Sequence, residues 1–112
     1  MTRDRCEEVL PLERAIYKLT AEPASVYGFV DRGTVAVGKA ADVCVFDPDT
    51  IDPGPLHRMY DFPADGERLT ADAPTGMTHV IVNGVPIRVD GSPAQPEVRP
   101  GVVLRGEYVR GQ

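Results

Sequence analysis

The feature that most constrains the fold is an Asn-Gly pair between two apolar, extended runs. Residues 78–82 (THVIV) and 85–89 (VPIRV) flank Asn83 and Gly84. Asn-Gly enters a type I′ turn at the least steric cost, because both central residues of that turn take positive φ. The sequence therefore predicts an antiparallel β-hairpin formed by these two runs.

Three other segments have strand character. Residues 41–47 (ADVCVFD) form a nearly continuous apolar, β-branched run, which predicts a strand buried on both faces. A short strand is predicted over residues 34–37, between Gly33 and Gly38, because glycine suits tight turns that need positive φ. Residues 102–104 (VVL) predict a last short strand.

The opening third of the chain has a helical period instead. Apolar residues at positions 12, 15, 16 and 19 form the stripe of a one-sided helix. Thr20 is predicted to cap a second, shorter helix, and Gly28 to close it. The predicted fold class is α+β, with short N-terminal helices followed by a small antiparallel β-sandwich-like sheet.

The predicted organisation has two parts. Residues 1–30 hold the helices, and residues 31–112 form a β segment with an irregular acidic loop at 48–76. That loop holds five prolines and three glycines. Residues 42–72 contain eight acids and two bases, a net charge of −6 against −5 for the whole chain. A loop of this length is usually functional or packed on something outside it.

Composition excludes several classes of protein. The acidic balance argues against nucleic acid, whose binders carry a basic face. The chain has no apolar run near the roughly 20 residues of a membrane span, and its charged N-terminus is unlike a signal peptide. Two cysteines make neither a disulfide framework nor a CxxC site. We therefore expect a cytoplasmic protein without nucleic-acid or membrane partners.

Several motifs in order resemble one known family. Residues 33–47 follow the pattern G-x-V-x-x-G-x-x-A-D-V-x-V-F-D, and residues 79–84 read HVIVNG. Together they resemble the C-terminal end of the metal-dependent amidohydrolase superfamily. Within it, the segments T-x-x-P-A-x-x-x-G, FDPDT and PGVVLRG look most like N-acyl-D-amino-acid deacylases (D-aminoacylases); they lie at residues 20–28, 46–50 and 100–106.

The resemblance implies a fold and an activity. In this superfamily a small β-sandwich built from both chain ends flanks a catalytic (β/α)₈ barrel, which takes about 250 residues and cannot fit in 112. The full-length protein would hydrolyse a non-peptide C–N amide bond with water activated by zinc or another divalent metal. The residues that carry the signature are structural ones: Gly33, Gly38, Asp42, Asn83 and Gly84. Asp42 is expected to bond turn amides.

The ligands for that chemistry are missing from this chain. Its two histidines, His57 and His79, are separated by 21 residues, and no His-x-His motif occurs. We therefore assign no catalytic and no metal-binding residue, and we expect no cofactor bound by this chain alone. His57, Arg58 and Tyr60 belong either to a solvated loop or to a cover that touches the active-site mouth of a neighbouring barrel. Cys44 is most simply a small core residue.

Two interpretations remain open. In the first, the chain is an inactive segment of an amidohydrolase, whether a shortened reading frame, an excised piece or a split paralogue. Its partner would be the missing catalytic barrel or a second copy of itself. In the second, it is a free-standing small β domain for binding or homo-oligomerisation. A calcium loop is disfavoured, because Asp47, Asp49 and Asp52 lack the required spacing.

Overall fold

A computed structural model describes residues 9–107. It confirms an α+β protein with two helices and six strands among these residues. The elements are α1 (Leu12–Leu19), α2 (Ala21–Val26), β1 (Val43–Phe46), β2 (Leu56–Phe62), β3 (Gly66–Ala71), β4 (Met77–Val82), β5 (Val85–Val89) and β6 (Ser92–Pro93), with a 3₁₀ turn at Pro63–Asp65. The chain divides into two compact units: Asp42–Gly101, and the residues up to Ala41 together with those from Val102 onward.

Both predicted helices are confirmed in the first unit, but the link between them differs from the prediction. Glu13 in the first turn of α1 and Lys18 in its last turn complement the helix dipole. Thr20 does not cap α2 with its side chain. Its hydroxyl donates a hydrogen bond back to the carbonyl of Ile16 at 2.7 Å, a bond that threonine makes readily within a helix.

Two glycines shape the chain after α2. Gly28 takes φ of 72° at the end of the helix, as predicted. Gly33 takes φ of 94°, and a Cβ built on it would lie 2.6 Å from the Cβ of Ala24. Ala24 is the one buried apolar residue among those described, with 8% of its surface exposed. Gly33 is therefore required both by the backbone conformation and by close packing.

Two predicted strands in this unit are wrong. Residues 34–37 and 102–104 join no β-ladder. A strand exists only when a neighbour accepts and donates its backbone hydrogen bonds, and neither segment has a paired strand in the described chain. Near the second segment, the Glu107 amide instead donates to the Gly28 carbonyl at 2.9 Å.

The second unit holds a four-stranded antiparallel sheet in the order β1-β4-β5-β6. The predicted hairpin is its centre, formed by β4 and β5. Asn83 and Gly84 take φ of 48° and 77°, as a type I′ turn requires. The prediction that β1 is buried on both faces is wrong, because it lies at the sheet edge with Cys44 and Val45 exposed.

The predicted irregular loop at 48–76 is also wrong over most of its length. β2 and β3 pair there as a separate two-stranded antiparallel ribbon. The prolines that suggested an irregular segment all fall outside these two strands: three precede β2, Pro63 lies in the turn, and Pro74 follows β3. Proline confined to strand ends and turns is compatible with a ladder.

Candidate functional site

The signature residues of the second unit come together at the hairpin turn. The Asn83 backbone N–H donates to Oδ1 of Asp42 at 2.8 Å, and the Asn83 side-chain amide donates to the Pro100 carbonyl at 2.7 Å. Asp42 was predicted to bond turn amides, and the amide it bonds belongs to a turn 41 residues away. These hydrogen bonds connect the start of β1, the hairpin and the segment near residue 100. The role of Asp42 and Asn83 is therefore structural.

Gly33 and Gly38 lie in the first unit. Gly38 takes φ of 88°, so both glycines have the positive φ predicted for tight turns. A shallow cleft of about 220 Å³ lies in the same unit, between residues 28–32 and 102–107. Arg32 lines the cleft and forms an ion pair with Asp31 at 3.1 Å. The lining of the cleft includes Gly28 and residues 102–105 of the PGVVLRG segment, but no sequence signal predicted a cleft there.

The histidine of the predicted loop lies on a strand. His57 on β2 places Nε2 at 3.0 Å from Oδ2 of Asp72, just beyond β3. Both side chains are about half exposed. Tyr60, further along β2, is exposed as well. His57 and Arg58 are therefore paired in the ladder, with Thr70 and Leu69, while Tyr60 lies in the irregular stretch between Met59 and Phe62. Whether the three residues touch an active-site mouth stays a prediction.

Two further ion pairs cross the ribbon. Arg58 contacts Glu67 at 3.2 Å, and Arg68 donates through Nε and one terminal nitrogen to the two oxygens of Asp61, at 2.7 and 2.6 Å. The hydrogen bond from Arg68 lowers the pKa of Asp61, and the same bond raises the pKa of Arg68. These two ion pairs were not predicted from the sequence, although cross-strand pairs of opposite charge are a recognisable feature of paired strands.

The donor groups of the described residues do not fit a catalytic metal. His79 on β4 faces Asp90 with Nε2 at 3.9 Å, so each histidine faces a separate carboxylate. Within residues 9–107, no three His, Cys, Asp or Glu side chains are close enough to share an ion. The Asp47 carboxylate accepts the amide of Asp49 at 2.9 Å, which is a turn contact.

Comparison with known proteins assigns the chain to a family. A sequence model of the amidohydrolase family matches residues 1–88. The chain belongs to the amidohydrolase family. The N-acyl-D-glutamate deacylase of Alcaligenes xylosoxydans xylosoxydans is 44% identical to this amidohydrolase chain over 102 residues, covering 88% of the chain and 17% of the relative.

Two other relatives support the family at a greater distance. The D-aminoacylase of the same organism is 32% identical over 83 residues, covering 70% of the chain and 14% of the relative. A dihydroorotase of Anaeromyxobacter dehalogenans is 40% identical over 82 residues, covering 70% and 18%. This amidohydrolase chain thus spans less than a fifth of each of these relatives. No solved structure matches it. None of the helices within residues 9–107 is long and apolar enough to cross a membrane.

Proposed function

We propose that this chain is a non-catalytic, C-terminal segment of an amidohydrolase of the N-acyl-D-amino-acid deacylase type. The observation that carries the proposal is the exposure of large apolar side chains on helices and strands alike. Leu19 on α1, Val45 on β1 and Leu69 on β3 are all exposed. Apolar surface of this extent usually marks contact with other protein. In a family member, a catalytic barrel is the natural source of that contact.

The role of the segment in that protein is to brace the hydrolytic part. The stripe on α1 and the outer edge of β1 would pack against it, while the Asp42–Asn83 hydrogen bond holds the hairpin in place. Deacylation of an N-acyl-D-amino acid by water on zinc or another divalent metal would take place outside this chain. The proposed compartment is the cytoplasm, because two cysteines do not make a disulfide framework. Cell fractionation would check it.

The second candidate is a free-standing β domain for binding or oligomerisation. The observation in its favour is that β1 is an edge strand of the four-stranded sheet. Its sequence, VCVF, contains no charged residue. Such edges recruit further strands. A monomeric chain that unfolds cooperatively on its own would favour this candidate over the first.

A chimera tests the proposed function. The matching region of the Alcaligenes N-acyl-D-glutamate deacylase is replaced by this chain, and turnover of N-acetyl-D-glutamate is measured. We expect an active chimera, an inactive protein when the region is deleted, and no turnover by the 112-residue chain with zinc alone. An inactive chimera, or chelator-sensitive turnover by the isolated chain, would overturn the proposal.

Histidine variants of the same chimera test the claim that the segment is non-catalytic. His57→Ala and His79→Ala each remove one imidazole, and elemental analysis gives the metal bound per protein. Because each imidazole faces a single carboxylate, we expect both variants to retain the metal content of the unmodified chimera. Loss of metal from either variant would show that this segment supplies a ligand.

A further inference from the structure

The turn between β4 and β5 contains a chemically reactive dipeptide. Asn83 is the only asparagine in the chain, and Gly84 follows it. Asparagine is a thermolabile residue, because the backbone nitrogen of the next residue can attack the carbonyl carbon of its side chain. Glycine hinders that attack least, because it has no Cβ. The dipeptide that suits this hairpin turn is therefore also one that favours loss of the side-chain amide.

The reaction needs no reagent other than water. The Gly84 nitrogen forms a bond to Cγ of Asn83, the Cγ–Nδ2 bond breaks, and the proton from the Gly84 nitrogen leaves with the amide as ammonia. The product is a five-membered succinimide ring. Water then opens this ring at either carbonyl carbon, which gives aspartate, or isoaspartate with one more carbon atom in the backbone. No electrons are exchanged in either step.

The folded hairpin holds Asn83 away from the geometry of that ring. In a type I′ turn, the nitrogen of the second central residue lies near the nitrogen of the first and away from its Cβ. The Asn83 backbone N–H is held by Oδ1 of Asp42 at 2.8 Å, and its side-chain Nδ2 donates to the Pro100 carbonyl at 2.7 Å. Ring closure therefore requires the turn to unwind against the first hydrogen bond and the side chain to leave the second.

We propose that Asn83 is a latent deamidation site that the β4–β5 hairpin protects, so that ammonia is lost only from molecules in which the turn has opened. The modification then makes the opening permanent. A carboxylate at position 83 does not donate to the Pro100 carbonyl, and its negative charge is repelled by that of Asp42. Isoaspartate also lengthens a two-residue turn whose strands are in register for the shorter backbone.

Peptide mapping by mass spectrometry measures the rate of ammonia loss at Asn83. The 112-residue chain is incubated at mildly alkaline pH with and without guanidinium chloride. Cleavage after Arg88 separates Asn83 from Asp90, which precedes Gly91 and forms the same ring by loss of water. Because the reaction waits for local opening, we expect a rate about tenfold or more lower without denaturant. Equal rates, or aspartate without isoaspartate among the products, would overturn the proposal.

Variants of two acids test whether the hairpin contact provides the protection. Asp42→Ala removes the acceptor of the Asn83 amide, so ammonia loss without denaturant should rise about fivefold, the equivalent of about 1 kcal/mol. The matched control Asp49→Ala removes an acid outside the hairpin and should leave the rate unchanged. In guanidinium chloride both variants should react as fast as the unmodified chain. Equal rates for the two variants without denaturant would overturn the protective role of Asp42.

The variant Asn83→Asp tests the consequence, because aspartate is one product of the reaction. Hydrogen exchange of the β4 and β5 amides should be at least about fivefold faster than in the unmodified chain, since the bond to the Pro100 carbonyl is lost. The matched control Gln95→Glu makes the same change from amide to acid at an exposed residue outside the strands, and it should leave the exchange unchanged. Equal exchange in the two variants would overturn the permanent opening.

Discussion

At the scale of single residues, the carboxylate of Asp42 connects two parts of the second unit that are distant in sequence. It joins the start of β1 to the turn between β4 and β5 through the amide of Asn83. The residue type was predictable, because an Asp next to a turn commonly bonds turn amides. Its partner was not predictable, because a contact over 41 residues depends on strand register rather than on local spacing.

Removing that carboxylate should loosen the hairpin. Asp42→Ala deletes the acceptor for the Asn83 amide, and a hydrogen bond of this kind contributes about 1 kcal/mol. We expect the free energy of opening of the β4–β5 amides, measured by hydrogen exchange in the isolated chain, to fall by about that amount. Asp49→Ala serves as the control outside the hairpin. Equal effects of the two variants would contradict the structural role given to Asp42.

The Asp61–Arg68 pair should make the ribbon sensitive to acid. The hydrogen bond from Arg68 lowers the pKa of Asp61 in the folded ribbon. The pair therefore contributes stability at pH above the unfolded pKa of this carboxyl, and the contribution is lost as the pH falls through the lowered folded value. We expect a carboxyl NMR titration to show the pKa of Asp61 rising toward its ordinary value in Arg68→Gln. Arg58→Gln is the control; an unchanged pKa in Arg68→Gln would contradict the pairing.

At the scale of elements, sequence patterns correctly predicted the elements whose conformation depends on a few neighbouring residues. The period of α1 and the Asn83-Gly84 turn are decided within a few residues, and both were predicted correctly. Residues 34–37 and 102–104 have strand composition but no ladder, because a strand also needs a neighbour. The β2–β3 ribbon was missed because flanking prolines obscured two short strands whose pairing is not encoded in a simple alternation.

A pair of glycine variants isolates the packing between α2 and the segment that follows. Gly33 and Gly38 both have positive φ, so alanine strains the backbone at either position. Among the described atoms, only Gly33 of the two has neighbours within 4 Å of the added Cβ, the nearest being the Cβ of Ala24 at 2.6 Å, whereas nothing lies that close at Gly38. Gly33→Ala should therefore destabilise the first unit by about 1–3 kcal/mol more than Gly38→Ala. Thermal unfolding followed by circular dichroism measures the difference, and equal melting points would contradict the contact.

At the scale of the whole molecule, the described residues leave a large part of the apolar surface in water. Leu19, Val35 and Val103 are each at least three-quarters exposed. The apolar composition led us to predict burial of β1, but Cys44 and Val45 on it are exposed. Sequence patterns report which side chains require burial. We propose that the surface that buries them belongs to another part of a longer protein.

The isolated chain should therefore behave as an incomplete protein. We expect it to bind a hydrophobic dye and to associate with rising concentration, because exposed apolar surface and an open strand edge favour contact between copies. Dye fluorescence and sedimentation velocity across a concentration series check this. A monomer without dye binding at every concentration would contradict it and would favour the free-standing domain.

The length of the native polypeptide that carries this segment is the most direct test of the account. The chain spans only 14–18% of the relatives described above, so a whole family member is several times longer. Mass spectrometry of the intact protein, captured from its source cells through a peptide of residues 78–91, measures that length. We expect a polypeptide several times longer than 112 residues. A native product of 112 residues, with no longer species carrying the segment, would contradict it.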